Sequence, residues 1–145
     1  VLDPETARAC ILAGAEFIVT PALKTTTIEM CKRYSKVVIP GALTPTEVVT
    51  AWEAGSDFVK VFPCDNVGGA KYIKALKGPF PHIDLIPTGG VNLNTAADFM
   101  GAGSAALAVG SELVDKAAVA AKDFQKITET ARKFMEVVKS ARSKS

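Results

Sequence analysis

Five short apolar runs recur at a steady interval and constrain this chain more than any other feature. They are Glu16-Phe17-Ile18-Val19-Thr20, Lys36-Val37-Val38-Ile39-Pro40, Asp57 to Phe62, Ile83 to Pro87 and Ala105 to Val109. Their starts lie about 20 to 26 residues apart, a spacing that suits a repeated β/α unit better than β-hairpins. Most are β-branched and apolar on both faces, which is the pattern of parallel strands covered by helices. The segments between them carry helix punctuation. Asp3-Pro4-Glu5 offers a cap and a first-turn proline, and Thr44-Pro45-Thr46-Glu47 reads as a capping box before Val48, Val49 and Trp52, closed by Ala54-Gly55. Asn92 is expected to cap a helix from about Leu93 to Met100, ended by Gly101 and Gly103, and Gly78-Pro79-Phe80-Pro81 ends the one before it. Gly110-Ser111 is expected to start a short helix. A terminal amphipathic helix follows from about Phe124 to Ala141, with Ile127, Ala131, Phe134 and Val138 on one stripe and a frayed Ser140 to Ser145 tail.

The 145 residues, 48% apolar, suffice for one core, so residues 1–145 are expected to form a single α/β domain. Five β/α units do not close an eight-stranded TIM barrel, and left open they would expose an apolar interior and strand edges. The expectation is therefore either a fragment of a (β/α)8 barrel or a barrel that a partner completes, and the start at Val1, without an initiator methionine, suggests a missing upstream segment. A net charge of +2 with interspersed signs gives no sign of a nucleic-acid or membrane partner. Cys10, Cys31 and Cys64 lack metal-ligand or disulfide spacing, and reduced thiols in a cytoplasmic protein are expected.

Chemistry concentrates in two places. In Asp57-Phe58-Val59-Lys60-Val61-Phe62 the strand period of two sets Phe58, Lys60 and Phe62 on one face and the valines on the other. If the valines face helices, Lys60 points into the barrel between two phenylalanines. Desolvation there lowers its pKa and supplies a neutral amine for attack on a carbonyl. A lysine that snorkels to water, or pairs with Asp57 or Asp65, fits this segment as well. The second place is Pro87-Thr88-Gly89-Gly90-Val91, followed one unit later by Val109-Gly110-Ser111-Glu112. Adjacent glycines let backbone N–H groups approach an anion, and loops after the last two barrel strands commonly hold phosphate. Either pair alone reads as a tight turn, whereas both in this order favour phosphate. Cys64 and Asp65 read as rim-packing residues, Trp52 and Phe17 as core or subunit contacts, and His82 as a surface histidine at the opposite end of the strands.

With these motifs, and with Thr20-Pro21-Ala22-Leu23, Ile39-Pro40-Gly41, Lys60-Val61-Phe62-Pro63 and Lys77-Gly78-Pro79-Phe80, practically the whole chain resembles the bacterial 2-keto-3-deoxy-6-phosphogluconate (KDPG) aldolases, which also act as 4-hydroxy-2-oxoglutarate (KHG) aldolases. The resemblance implies a class I aldolase that needs no cofactor or metal. Lys60 would form the Schiff base, Phe62 would line the pyruvyl pocket, Pro21 would stand at its rim, and Thr88, Gly89, Gly90, Gly110 and Ser111 would bind substrate phosphate. It implies a phosphorylated 2-keto acid as substrate and a homotrimer. It also implies a (β/α)8 TIM barrel of which this chain supplies about the last five units, with three strands upstream of Val1 and, among them, the family's glutamate acid/base and an arginine, since neither has a candidate here. Imine chemistry without a proton shuttle is expected to lose on the order of 10² to 10⁴ in rate. The rival expectations are another phosphate-binding barrel enzyme, which would not need Lys60, and a non-catalytic binding or assembly module made from a truncated barrel.

Overall fold

A computed structural model of the protein describes residues 1–143, so the end of the Ser140 to Ser145 tail lies outside the described residues. Helices and parallel strands alternate. α1 (Pro4–Leu12) leads to β1 (Phe17–Val19), α2 (Thr25–Arg33) to β2 (Val37–Ile39), and β3 (Gly41–Ala42) follows directly. Then come α3 (Pro45–Glu53), β4 (Val59–Val61), a 3-10 turn at Asp65–Val67, α4 (Ala70–Lys77), β5 (Leu85–Pro87), α5 (Ala96–Gly101), α6 (Lys116–Ala120) and α7 (Phe124–Arg142). β1 pairs with β2, and β3, β4 and β5 pair in that order, all parallel. This is a parallel α/β architecture of the TIM-barrel kind.

β2 and β3 are one extended run divided at Pro40, which lacks the N–H that a ladder needs. Its carbonyl still serves, accepting from the Lys60 N–H at 2.8 Å. The run Ala105–Val109 departs from expectation. It makes a single parallel bridge, Thr88 to Ala108, rather than a strand. Its small side chains at 105, 106 and 108 cover little neighbouring surface, and it is paired on one side only. The Ser111 helix is corrected too. The Gly110 carbonyl accepts from the Leu113 and Val114 N–H groups in a turn, and the short helix begins at Lys116, where the Asp115 carboxylate caps the Ala117 N–H. Asn92 does receive N–H groups, from Asn94 and Thr95, although regular helix begins only at Ala96.

The core forms two clusters on the helical side. Ile18 and Val38 pack with Ala7, Ile11, Ile28 and Cys31, while Val59, Val61 and Leu85 pack with Val48, Ala51, Ile73, Leu76 and Phe99. Each such side chain contributes roughly 1.5–3 kcal/mol by leaving water. The alternate strand positions face the other way, and there Phe17, Val19, Val37 and Phe62 are exposed. Among the described residues no pairing joins β1 to the Ala108 segment. On α7, Phe134 is buried and Ile127, Ala131 and Val138 are partly covered, so the anticipated stripe faces the protein.

The capping box of α3 forms as the sequence requires. The Glu47 carboxylate accepts from Thr44 N–H at 2.7 Å and Leu43 N–H at 2.9 Å, and the Thr44 hydroxyl accepts from Glu47 N–H. The Thr44 bond, then the Leu43 bond, hold the Glu47 carboxyl below its ordinary value, against a smaller opposing effect of burial. A depressed carboxyl contributes stability above its unfolded pKa and loses it as pH falls through the folded one. Thermal unfolding of wild type is therefore expected to fall more steeply below about pH 4.3 than that of Glu47→Gln. Thr44→Ala should cost about 1 kcal/mol at neutral pH. The same dependence on pH in wild type and Glu47→Gln within the acid range would remove Glu47 as the titrating group.

Candidate active site

Val59 and Val61 are fully buried against α3 and α4, and alternation therefore turns Lys60 to the opposite face. Its in-register neighbours are Gly41 on β3 and Ile86 on β5, one without a side chain and one apolar. The amino group lies 4.5 Å from the Phe62 ring centre, over its face. Among the described residues no carboxylate pairs with Lys60. Asp57 is engaged elsewhere, with Lys32 at 3.0 Å and the Val38 N–H at 2.9 Å. Desolvation lowers the pKa of Lys60 below that of an ordinary lysine. Of the alternatives the segment left open, the ion pair with Asp57 or Asp65 is not formed among the described residues, and the half-buried side chain is in part desolvated.

Thr88 continues β5 beside this lysine strand. Its N–H donates to the Val61 carbonyl and its own carbonyl accepts from the Cys64 N–H, both at 2.9 Å. Its hydroxyl is buried without a hydrogen-bond partner. Gly89 and Gly90 follow with φ of +96° and +72°, a region that side-chain-bearing residues seldom adopt. They lie on Asp65, so closely that a Cβ on Gly90 would sit 2.6 Å from the Asp65 Cβ. Because Thr88 bridges Ala108, the Gly110-Ser111 turn follows the neighbouring chain end. Ser111 is exposed and shares a depression with Asp115 and Lys126. Pro21 stands at the end of β1, packed on Gly41.

The other candidates take the quieter roles expected of them. His82 is exposed with its ring edge-on to Trp52 at 4.7 Å. Cys64 is buried, and burial, reinforced by Asp65, pushes its thiol up to about 11, which makes it unreactive at neutral pH. Asp65 packs beneath the glycine turn. Three features escaped the sequence reading. One is the Gly68-Gly69 pair, both at positive φ, which opens a cleft of about 480 Å³ with Lys71, Asp98 and Gly90, and adjacent glycines were its only available signal. The others are the closeness of Asp65 to Gly90 and of Gly41 to Pro21, which no local pattern announces.

A family model described as "Aldolase: KDPG and KHG aldolase" matches residues 1–130. The 2-dehydro-3-deoxy-phosphogluconate aldolase of Haemophilus influenzae is 32% identical over 137 residues, covering 92% of this chain. The chain spans 65% of that relative's length. Among solved structures, one described as native KDPGal superposes with a TM-score of 0.90 at 33% identity, covering 99% of this chain and 68% of the other. A KDPG aldolase from Legionella pneumophila, with pyruvate captured as a covalent carbinolamine, gives a TM-score of 0.84 at 27% identity over 94% of this chain and 65% of its own.

Proposed function

The chain belongs to the KDPG and KHG aldolase family, and from that membership we propose that it carries the imine-forming lysine of a class I aldolase. The reaction is cleavage of 2-keto-3-deoxy-6-phosphogluconate to pyruvate and glyceraldehyde 3-phosphate, or of 4-hydroxy-2-oxoglutarate to pyruvate and glyoxylate. The observation that carries the reading is Lys60, an amine with lowered pKa, no ion-pair partner among the described residues, and Phe62 beside it. The carbinolamine found in the Legionella pneumophila relative is an adduct of the kind proposed for this lysine.

In the proposed sequence the Lys60 amine adds to the C2 carbonyl, and loss of water gives a protonated imine. The C3–C4 bond then breaks, its electron pair moving to the imine nitrogen, while the C4 hydroxyl loses its proton and becomes the aldehyde of the departing product. The enamine takes a proton at C3, and water releases pyruvate and the free lysine. Phe62 would line the pyruvyl pocket, and Thr88, whose buried hydroxyl has no hydrogen-bond partner among the described residues, would bind the phosphate with the turn that follows it. The N–H groups of Gly89 and Gly90, with Gly110 and the Ser111 hydroxyl, would hold the phosphate. Pro21 would border the pocket. The chain would supply the last five units of a (β/α)8 barrel as one domain, in a cytoplasmic homotrimer in which exposed Phe17 and Trp52 are available for subunit contacts.

Incubation with pyruvate and sodium borohydride, followed by intact-protein mass, tests the chemistry on the protein as it stands. One reduced pyruvyl adduct per chain is expected. An unmodified mass at saturating pyruvate would exclude the aldolase if the chain tested includes the upstream strands, whereas the same result on residues 1–145 alone would leave a barrel fragment whose function lies in binding or assembly.

A further inference from the structure

Thr20 follows the last residue of β1 and immediately precedes Pro21, and only 4% of it reaches solvent. Its hydroxyl donates to the Ala22 carbonyl at 2.7 Å and accepts from the Gly41 N–H at 3.2 Å. One oxygen thus ties both sides of the Pro21 turn to the first residue of β3. Gly41 is pressed on the same turn from the other side. A Cβ there would lie 2.3 Å from the Pro21 carbonyl carbon and oxygen, and 2.7 Å from the Ala22 nitrogen. Gly41 is also the register partner of Lys60, whose N–H is bonded to the adjacent Pro40 carbonyl. A continuous path of backbone contacts therefore runs from the Pro21 turn through the Thr20 hydroxyl and Gly41 to the lysine strand. It crosses the seam at which the β1-β2 pair meets the β3-β4-β5 sheet, where Pro40 interrupts the ladder.

We infer that Thr20 is a positioning residue, whose hydroxyl fixes the Pro21 rim at a set place relative to Lys60 and thereby sets how tightly the keto acid is held before imine formation. The inference rests on the aldolase reading and adds to it a determinant that does not touch substrate. Removing the hydroxyl leaves a buried N–H and a carbonyl without their partner, and the turn relaxes toward water to satisfy them. The amine itself is set by β4, Phe62 and Ile86 and is untouched. Substrate capture should therefore weaken while the limiting rate of adduct formation holds.

The experiment measures borohydride trapping against pyruvate concentration for wild type, Thr20→Val and Thr20→Ser. Thr20→Val is expected to raise the half-saturating pyruvate concentration about tenfold and to change the limiting rate less than about twofold, on the scale of one lost buried hydrogen bond. Thr20→Ser, which keeps the oxygen, should return both quantities to within about twofold of wild type. Should Thr20→Val fail to fold, Thr20→Ala makes the same comparison. An unchanged half-saturation in the valine or alanine variant overturns the inference, as does a serine variant that behaves like them. So does a loss confined to the limiting rate. Those outcomes leave the aldolase reading intact because the wild type still forms its adduct, whereas no adduct on the wild type sinks that reading and this inference with it.

Discussion

Lys60→Ala is expected to abolish the pyruvyl adduct and to lower turnover by on the order of 10³-fold or more, since no other amine can replace a covalent nucleophile held in one place. The side chain is suited to this role because its surroundings disfavour the ammonium form. Gly41 and Ile86 flank it in register and offer no counter-charge, and among the described residues no carboxylate pairs with it, while the Phe62 ring, face-on at 4.5 Å, returns part of the charge stabilisation that desolvation removes. A lowered pKa means that the neutral amine is reached at lower pH than for an ordinary lysine. The trapping rate should therefore rise with pH and level off below about pH 10.4. The same desolvation has a cost in stability. Between the folded and unfolded pKa values the unfolded chain binds more protons, so stability rises with pH in that window, and below it the fold carries an unfavourable buried charge. Lys60→Met, of similar length and without charge, is expected to melt higher than wild type at neutral pH while forming no adduct. A methionine variant that melts lower would show that Lys60 is stabilised by an interaction with charge, contrary to the desolvated site.

The sequence disclosed what depends on neighbours along the chain. Strand alternation placed Lys60 opposite Val59 and Val61, and the caps at Asp3 and Thr44 formed where polar oxygens precede a first-turn proline. Errors arose where one local signal competed with another. Gly110-Ser111 resembles a helix start, yet Asp115 before Lys116 is the stronger cap and takes the helix, leaving Ser111 in a turn. Pro40 reads as the end of a strand, but it removes only a donor, and the chain resumes pairing at Gly41. The Ala105–Val109 run has strand composition at its end and too little bulk at its start, and it yields one bridge. What could not be read is contact between distant segments. Thr20 on Gly41 and Asp65 beneath Gly90 are each separated by a whole β/α unit, and their closeness follows from how strands stack side by side.

The Asp65 contact gives the second large effect, through Gly90→Ala. Alanine at φ +72° costs about 1–2 kcal/mol from its own backbone, and its Cβ would meet the Asp65 Cβ at 2.6 Å. That atom is fixed to the main chain and cannot swing aside, so the turn itself must move. A displacement near 1 Å at a substrate-holding loop lowers kcat/KM by on the order of 10², and this loss is expected for the phosphorylated substrate. Pyruvate trapping at Lys60, which needs no phosphate, should stay within about threefold of wild type, because the imine forms on β4. Gly89→Ala meets a different atom, the Asp65 Oδ1 at 2.7 Å, at the rotatable end of the side chain. The two variants therefore separate by their rescue. Asp65→Ala removes the carboxylate and should relieve the closest contact of Gly89→Ala, leaving the backbone cost of φ +96° and a 3.3 Å approach to the Cys64 nitrogen, but it retains the Cβ that obstructs Gly90→Ala. Only Asp65→Gly clears that contact, and even it leaves the backbone cost of a positive φ. If Gly90→Ala weakens pyruvate trapping as much as it weakens the phosphorylated substrate, the turn supports the lysine strand rather than a phosphate, and the anion must be sought elsewhere on the surface.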